Sequence, residues 1–133
     1  MKWYTHIFAS TIVFILLVKL FNIPAYTFVF ALLGGIFPDL IESLSHIKHR
    51  SVLFHEYALY LIPFAFGLIY PTYFSLTIFG FFALYHLFLD TFTKSSVFFF
   101  GRRVKGSLKT ESTLDNATVM FIHLVLGVFA IAL

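Results

Sequence analysis

The chain has 133 residues, of which 60% are hydrophobic, 21% aromatic and only 11% charged, with a formal net charge of +3. That balance lies outside the soluble range, because a domain of this length cannot hide so much apolar surface, and the length itself suits one domain. Cysteine is absent, which excludes disulfides and thiolate metal sites, so a metal would have to be held by His, Asp and Glu.

The pattern predicts an all-α, polytopic membrane protein, a single integral membrane domain over 1–133 with about five transmembrane helices. The first candidate span runs from Trp3 to Leu20. It lacks a small-residue cleavage site and carries His6 and Lys19, so it reads as a retained helix rather than a removed signal peptide. His6 alone would be a satisfied interior or interface histidine. Its place at the same end as the other ionisable groups makes it a ligand candidate.

After the breakers Asn22 to Pro24 comes a second span, Pro24 to Phe37 or a little beyond, which a turn at Pro38 and Asp39 is expected to close. Asp39 precedes Glu42 by three residues. The two would either cap a short following helix, or act as a metal ligand (Asp39) with a second ligand or a base for bound water (Glu42). The stretch SHIKHRSVLFHE follows. An amphipathic interfacial helix would turn such residues to water, and His46 suits that role. His49 and His55 are better ligand candidates, and Arg50 suits a phosphate or carboxylate, which it can grip with two parallel bonds.

The third span, Glu56 to Tyr70, contains Pro63, and Glu56 at its start is a second candidate base. The fourth, Thr72 to Asp90, ends with His86 and Asp90 four residues apart, hence on one helix face where they could share an ion. The alternative is a helix-end histidine and carboxylate at the water interface. An acid at a helix C terminus opposes the macrodipole, and a cation would compensate it. Val97 to Phe100 is too short to span and is expected to dip into the interface or cover the site. A basic loop of about 94–116 leads to the last span, Ala117 to Leu133, with Asp115 as its N-cap and His123 as a helix-packing residue. Gly34, Gly35, Gly67 and Gly80 offer places for close helix approach.

With five spans, Lys2, Lys48, Arg50, Lys94, Arg102, Arg103, Lys105 and Lys109 share one side, and Lys19 alone lies near the other. The positive-inside rule makes that side cytoplasmic. The same alternation gathers His6, Asp39, Glu42, His55, Glu56, His86 and Asp90 there. Ionisable groups cost about 2.5 to 3.5 kcal/mol each at the centre of a membrane helix, so such a cluster is a functional-site candidate. The pI of about 9.3 reflects topology and contact with anionic lipid headgroups, not nucleic-acid binding.

Four motifs in order, THIFAS (Thr5 to Ser10), GGIFPDLIE (Gly34 to Glu42), HRSVLFHE (His49 to Glu56) and YHLFLDTFTKSSVFFF (Tyr85 to Phe100), cover most of the chain up to about Arg103. In this the chain resembles the membrane-bound metal-dependent hydrolases, small multi-span proteins of bacteria and archaea. The resemblance implies a metal centre of His6, Asp39, His49, His55, His86 and Asp90. The chain departs from the family pattern at Ile41, where a second acid is usual, and at His55, which comes one residue late and is followed by Glu56. The resulting expectation is a cytoplasm-facing centre, with zinc favoured among divalent ions, that hydrolyses an ester or phosphoester, a lipid or lipid-linked phosphate being the natural substrate. Glu42 or Glu56 would take the proton, while Arg50 and the basic loop hold a phosphate. The rival is a non-enzymatic structural or ion-handling membrane protein whose polar cluster only ties helices together.

Overall fold

A computed structural model describes residues 1–45, 51, 53–94 and 96–132. Among these residues the chain forms five α-helices: α1 (Trp3–Phe21), α2 (Phe28–Ser45), α3 (Tyr57–Ile69), α4 (Phe74–Thr91) and α5 (Thr113–Ala132). A small antiparallel hairpin of β1 (Val97–Phe99) and β2 (Arg102–Val104) precedes α5. Three helical stretches, Trp3–Phe21, Ala25–Ser45 and Pro71–Thr91, are long and apolar enough to cross a membrane. The 13 residues of α3 and the apolar stretch Thr113–Phe129 of α5 are shorter.

Local chemistry accounts for most of the boundaries. Asn22 ends α1 in the left-handed conformation (φ 51°), one of the few residue types that enter it readily, and its N–H returns to the Val18 carbonyl. Short 3₁₀ turns, Ala25–Thr27 and Pro71–Tyr73, lead into α2 and α4. Glu56 caps α3 by accepting from the Ala58 N–H.

Three boundaries differ from those expected. The turn at Pro38 does not form, and α2 continues through Pro38 to Ser45. Proline removes one N–H, a local loss, and the packing of α2 on α4 carries the helix across it. The fold is not purely α, because Val97 to Phe99 pairs with Arg102 to Val104. Phe100 (φ 47°) and Gly101 (φ 74°) form its two-residue turn, both in the positive-φ region that matches strand twist in tight hairpins. The last helix is capped by Ser112, whose Oγ accepts from the Asp115 N–H, while Asp115 accepts from Lys109 N–H within the preceding loop. Asp115 therefore sits in the first turn of α5 and is not its cap.

α4 is the central helix, packed against α2 and α3, while α1 packs against α5 and α2. Phe14, Ala31, Ile78 and Phe82 fill the α1–α2–α4 junction, and Tyr60, Ala83, Leu87 and Val97 fill that between α3, α4 and the hairpin. Close approach depends on the expected glycines. A Cβ on Gly34 would lie 2.3 Å from the Phe79 carbonyl oxygen, and one on Gly80 would lie 2.5 Å from the Phe64 nitrogen. These are backbone atoms that cannot swing aside. Gly34→Val and Gly80→Val are each expected to destabilise the fold by at least about 1–3 kcal/mol, the usual range for overpacking. Thermal unfolding in detergent checks this, with exposed Leu114→Val as the neutral control.

Candidate metal centre

Four elements converge on one buried point. α2 brings Asp39 and Glu42, the segment before α3 brings His55, α4 brings His86 and Asp90 from successive turns, and α1 brings His6. One ligand atom from each of Asp39, His55, His86 and Asp90 lies within 4.8 Å of the other three. His55 Nε2 is 3.4 Å from Asp39 Oδ1 and 3.8 Å from Asp90 Oδ2. His86 Nε2 is 3.8 Å and 3.6 Å from the same two atoms. The side chains of His55, His86 and Asp90 are fully buried, whereas that of Asp39 retains 19% exposure.

Each imidazole is oriented from behind. His86 Nδ1 is 2.7 Å from the Gly35 carbonyl oxygen. A carbonyl can only accept, so Nδ1 carries the hydrogen and Nε2 presents its lone pair to the cluster. That Nε2 is buried and has no hydrogen-bond partner among the described residues. His55 Nδ1 lies 3.0 Å from Glu42 Oε1, which again leaves Nε2 as the acceptor facing Asp39 and Asp90. Histidine ligands of metals are held in this manner by a carbonyl or carboxylate on the remote nitrogen. Two neutral imidazoles and two carboxylates make four nitrogen and oxygen donors whose charge balances a divalent ion. The donor set thus fits a divalent metal ion.

His6, expected as a ligand, lies beside this group. Its ring stacks on His86 with centroids 3.7 Å apart and planes 18° from parallel, and its Nε2 is 3.4 Å from Asp90 Oδ1. Asp90 therefore turns Oδ2 to the cluster and Oδ1 to His6 and to the Met1 ammonium, with which it forms an ion pair.

The two glutamates expected as bases are each engaged with other groups. Glu42 is buried, and its Oε1 receives the Ser51 N–H (2.6 Å), the Ser51 hydroxyl (2.8 Å) and His55. It positions His55. Glu56 is occupied at the hairpin, accepting from the N–H groups of Phe100 (2.8 Å) and Gly101 (2.9 Å). Partial burial raises the pKa of this loop carboxyl, but the Gly101 and Phe100 N–H groups outweigh it and hold the carboxyl below its ordinary value of 4.5. His46, His49 and Arg50 lie outside the described residues. His123 is a packing residue as expected, bonded to Tyr85 and to the Val119 carbonyl.

Three contributors were not singled out from sequence. The Gly35 carbonyl carries no local signal, since the carbonyl that Pro38 leaves without its helical N–H is that of Gly34. Ser51 belongs to the turn that seats Glu42. Asn116, buried, accepts from the Thr5 hydroxyl (2.8 Å) and the Lys2 N–H (3.1 Å) and donates to the Thr110 and Ser112 carbonyls, fixing the start of α1 near His6.

Glu42→Gln keeps an acceptor for His55 Nδ1 but removes the charge. It is expected to weaken zinc affinity roughly 10- to 100-fold, the usual consequence of losing such a partner, as read by competition with a chromophoric chelator. Unchanged affinity would remove Glu42 from the positioning role. In comparison with known proteins, the chain matches no protein-family profile, no curated protein and no solved structure.

Proposed function

We propose that the chain is a multi-pass membrane protein whose buried centre binds a divalent metal ion, zinc foremost, and hydrolyses an ester or phosphoester of a lipid or lipid-linked phosphate. The observation that carries this reading is the pair of buried imidazoles, His55 and His86, each oriented from its Nδ1 side and turning Nε2 toward two carboxylates. Asp39, His55, His86 and Asp90 hold the ion. Once held there, the ion would supply Lewis acidity, making water acidic enough to ionise near neutral pH and polarising an ester or phosphoryl oxygen. Glu42 and the Gly35 carbonyl keep the imidazoles in register. His6, stacked on His86 and in contact with Asp90 Oδ1, would hold both of these ligands in place. Arg50 and the basic stretch Arg102 to Lys109 hold the phosphate. The motif resemblance to membrane-bound metal-dependent hydrolases supports the same assignment.

The basic residues orient the protein with this end in the cytoplasm. Since the chain has no cysteine, single cysteines introduced at Ser107 and Asn22 report sidedness directly. They are expected to react with an impermeant maleimide from opposite sides. Labelling of both from one side would overturn the topology.

A structural role is the second reading. It is favoured by the Met1 ammonium, which already places one cation against Asp90. Metal content separates the two. Purified protein is expected to hold at least one divalent ion per chain, and Asp90→Asn to lower occupancy roughly tenfold or more, while Glu111→Gln in the loop leaves it unchanged. Occupancy that zinc, manganese and cobalt all fail to restore would favour the structural role.

A further inference from the structure

The tip of the β1–β2 hairpin carries a side chain that suits neither its backbone nor water. Both turn positions, Phe100 (φ 47°) and Gly101 (φ 74°), need positive φ, where Asn-Gly or Asp-Gly is the usual pair and a bulky residue is strained. Phe100 is nonetheless 65% exposed. Among the described residues its ring meets that of Phe99, with centroids 4.9 Å apart, and Phe99 is itself half exposed. Burial within the protein therefore does not offset the strain.

The tip is also fixed in place, at the start of α3. Glu56 accepts from the N–H groups of Phe100 and Gly101, the Phe98 N–H donates to the His55 carbonyl, and the Tyr57 ring meets Phe99 edge-on at 5.6 Å. Residues 55–57 thus set its depth. α3 and α4 pack side by side and are joined by the short turn Pro71–Tyr73, so they run antiparallel from one link. The 13 residues of α3 rise about 20 Å and the 18 of α4 about 27 Å. α3 accordingly stops roughly 7 Å short of the far end of α4, which is about the thickness of one headgroup layer. In a bilayer spanned by α4, the hairpin tip at the start of α3 lies in that layer.

Charge distinguishes the lipids that meet it there. Arg102, Arg103 and Lys105 follow the tip and are exposed. Arg103 is tied back through its Nε to Ser96 Oγ at 2.7 Å. The carboxylate at this end of the hairpin, Glu56, receives the two N–H groups of the turn. Three cations against one carboxylate favour anionic headgroups over zwitterionic ones.

We propose that the hairpin tip is a docking surface for the anionic lipids of the bilayer, with the Phe99 and Phe100 rings at the boundary of headgroups and acyl chains and with Arg102 and Lys105 on lipid phosphates. The same contact holds the segment that carries His55 at a fixed depth. The proposal rests on the multi-pass reading above and is independent of the metal and of hydrolysis, since the phosphates are those of bulk lipid.

Fluorescence tests it. Trp3 is the chain's one tryptophan, so Trp3→Phe clears the background for single reporters in the full chain: Phe100→Trp at the tip, Phe99→Trp beside it as a reporter that needs no positive φ, Ser107→Trp in the exposed loop, and Leu124→Trp on an exposed face of α5. Circular dichroism checks that each variant stays folded. In nanodiscs of phosphatidylcholine and phosphatidylglycerol, with either lipid brominated on its acyl chains, both tip reporters are expected to be quenched by bromine and to be reached by acrylamide at least roughly threefold less than Ser107→Trp. Quenching at the tip is expected to show a roughly fivefold preference for phosphatidylglycerol, lost when Arg102→Gln and Lys105→Gln are combined.

Tip reporters as open to acrylamide as Ser107→Trp, with Leu124→Trp quenched by bromine, would overturn the proposal and leave the multi-pass reading standing. Shielding from acrylamide without bromine quenching would show a protein partner on the tip and overturn it as well. So would equal quenching by the two lipids, which is uncharged partitioning. Absence of bromine quenching at Leu124→Trp would sink the multi-pass reading and the proposal with it.

Discussion

Two carboxylates aimed at one point in an apolar interior are the constraint on which the rest depends. Asp39 and Asp90 come from different helices, and each faces the Nε2 atoms of the same two histidines. Like charges brought together away from water are unfavourable by several kcal/mol at interior dielectric values of about 20. Neutral imidazoles relieve this only partly, by hydrogen bonding and dipole orientation. A divalent ion at that point would relieve it further, and the Met1 ammonium already does so at the far oxygen of Asp90. The outer contacts follow the same logic, with Glu42 and the Gly35 carbonyl each fixing one imidazole and His6 and the Met1 ammonium meeting the far oxygen of Asp90.

The helical frame serves that convergence. Gly34 lets α2 approach α4 to backbone contact, and Gly35, the next residue, offers its carbonyl to His86. The stretch that removes steric bulk is therefore also the one that orients a ligand. On the other side the hairpin is fastened to the site's own segment, with the Phe98 N–H donating to the His55 carbonyl at 2.8 Å and Glu56 holding the turn at Phe100 and Gly101. Bulky Phe100 stays in the left-handed region because its N–H is held there by that carboxylate.

What was legible in the sequence was what local periodicity and end-to-end alternation encode. His86 and Asp90 share a face because helices repeat every 3.6 residues, and the helices themselves follow from apolar runs punctuated at Asn22 and Pro71. Alternation brought Asp39 and His55 to the same end. The partnership of Glu42 with His55 was not legible, because it depends on how the turn through Ser51 folds back onto α2. Nor was the stack of His6 on His86, which depends on the rotation of α1 about its axis. Pro38 misled because its penalty is local while the packing that overrides it is tertiary, and the hairpin was missed because a three-residue strand gains its pairing from Arg102 to Val104 across a turn that bends at a phenylalanine.

The central claim is that His55 and His86 bind one ion through Nε2 together with Asp39 and Asp90. X-ray absorption at the zinc edge on zinc-loaded protein tests it most directly. The expected spectrum shows nitrogen and oxygen neighbours at about 2.0–2.1 Å and the outer-shell scattering of two imidazoles, falling to one in His86→Gln. A spectrum without imidazole scattering, or one that His86→Gln leaves unchanged, would contradict it.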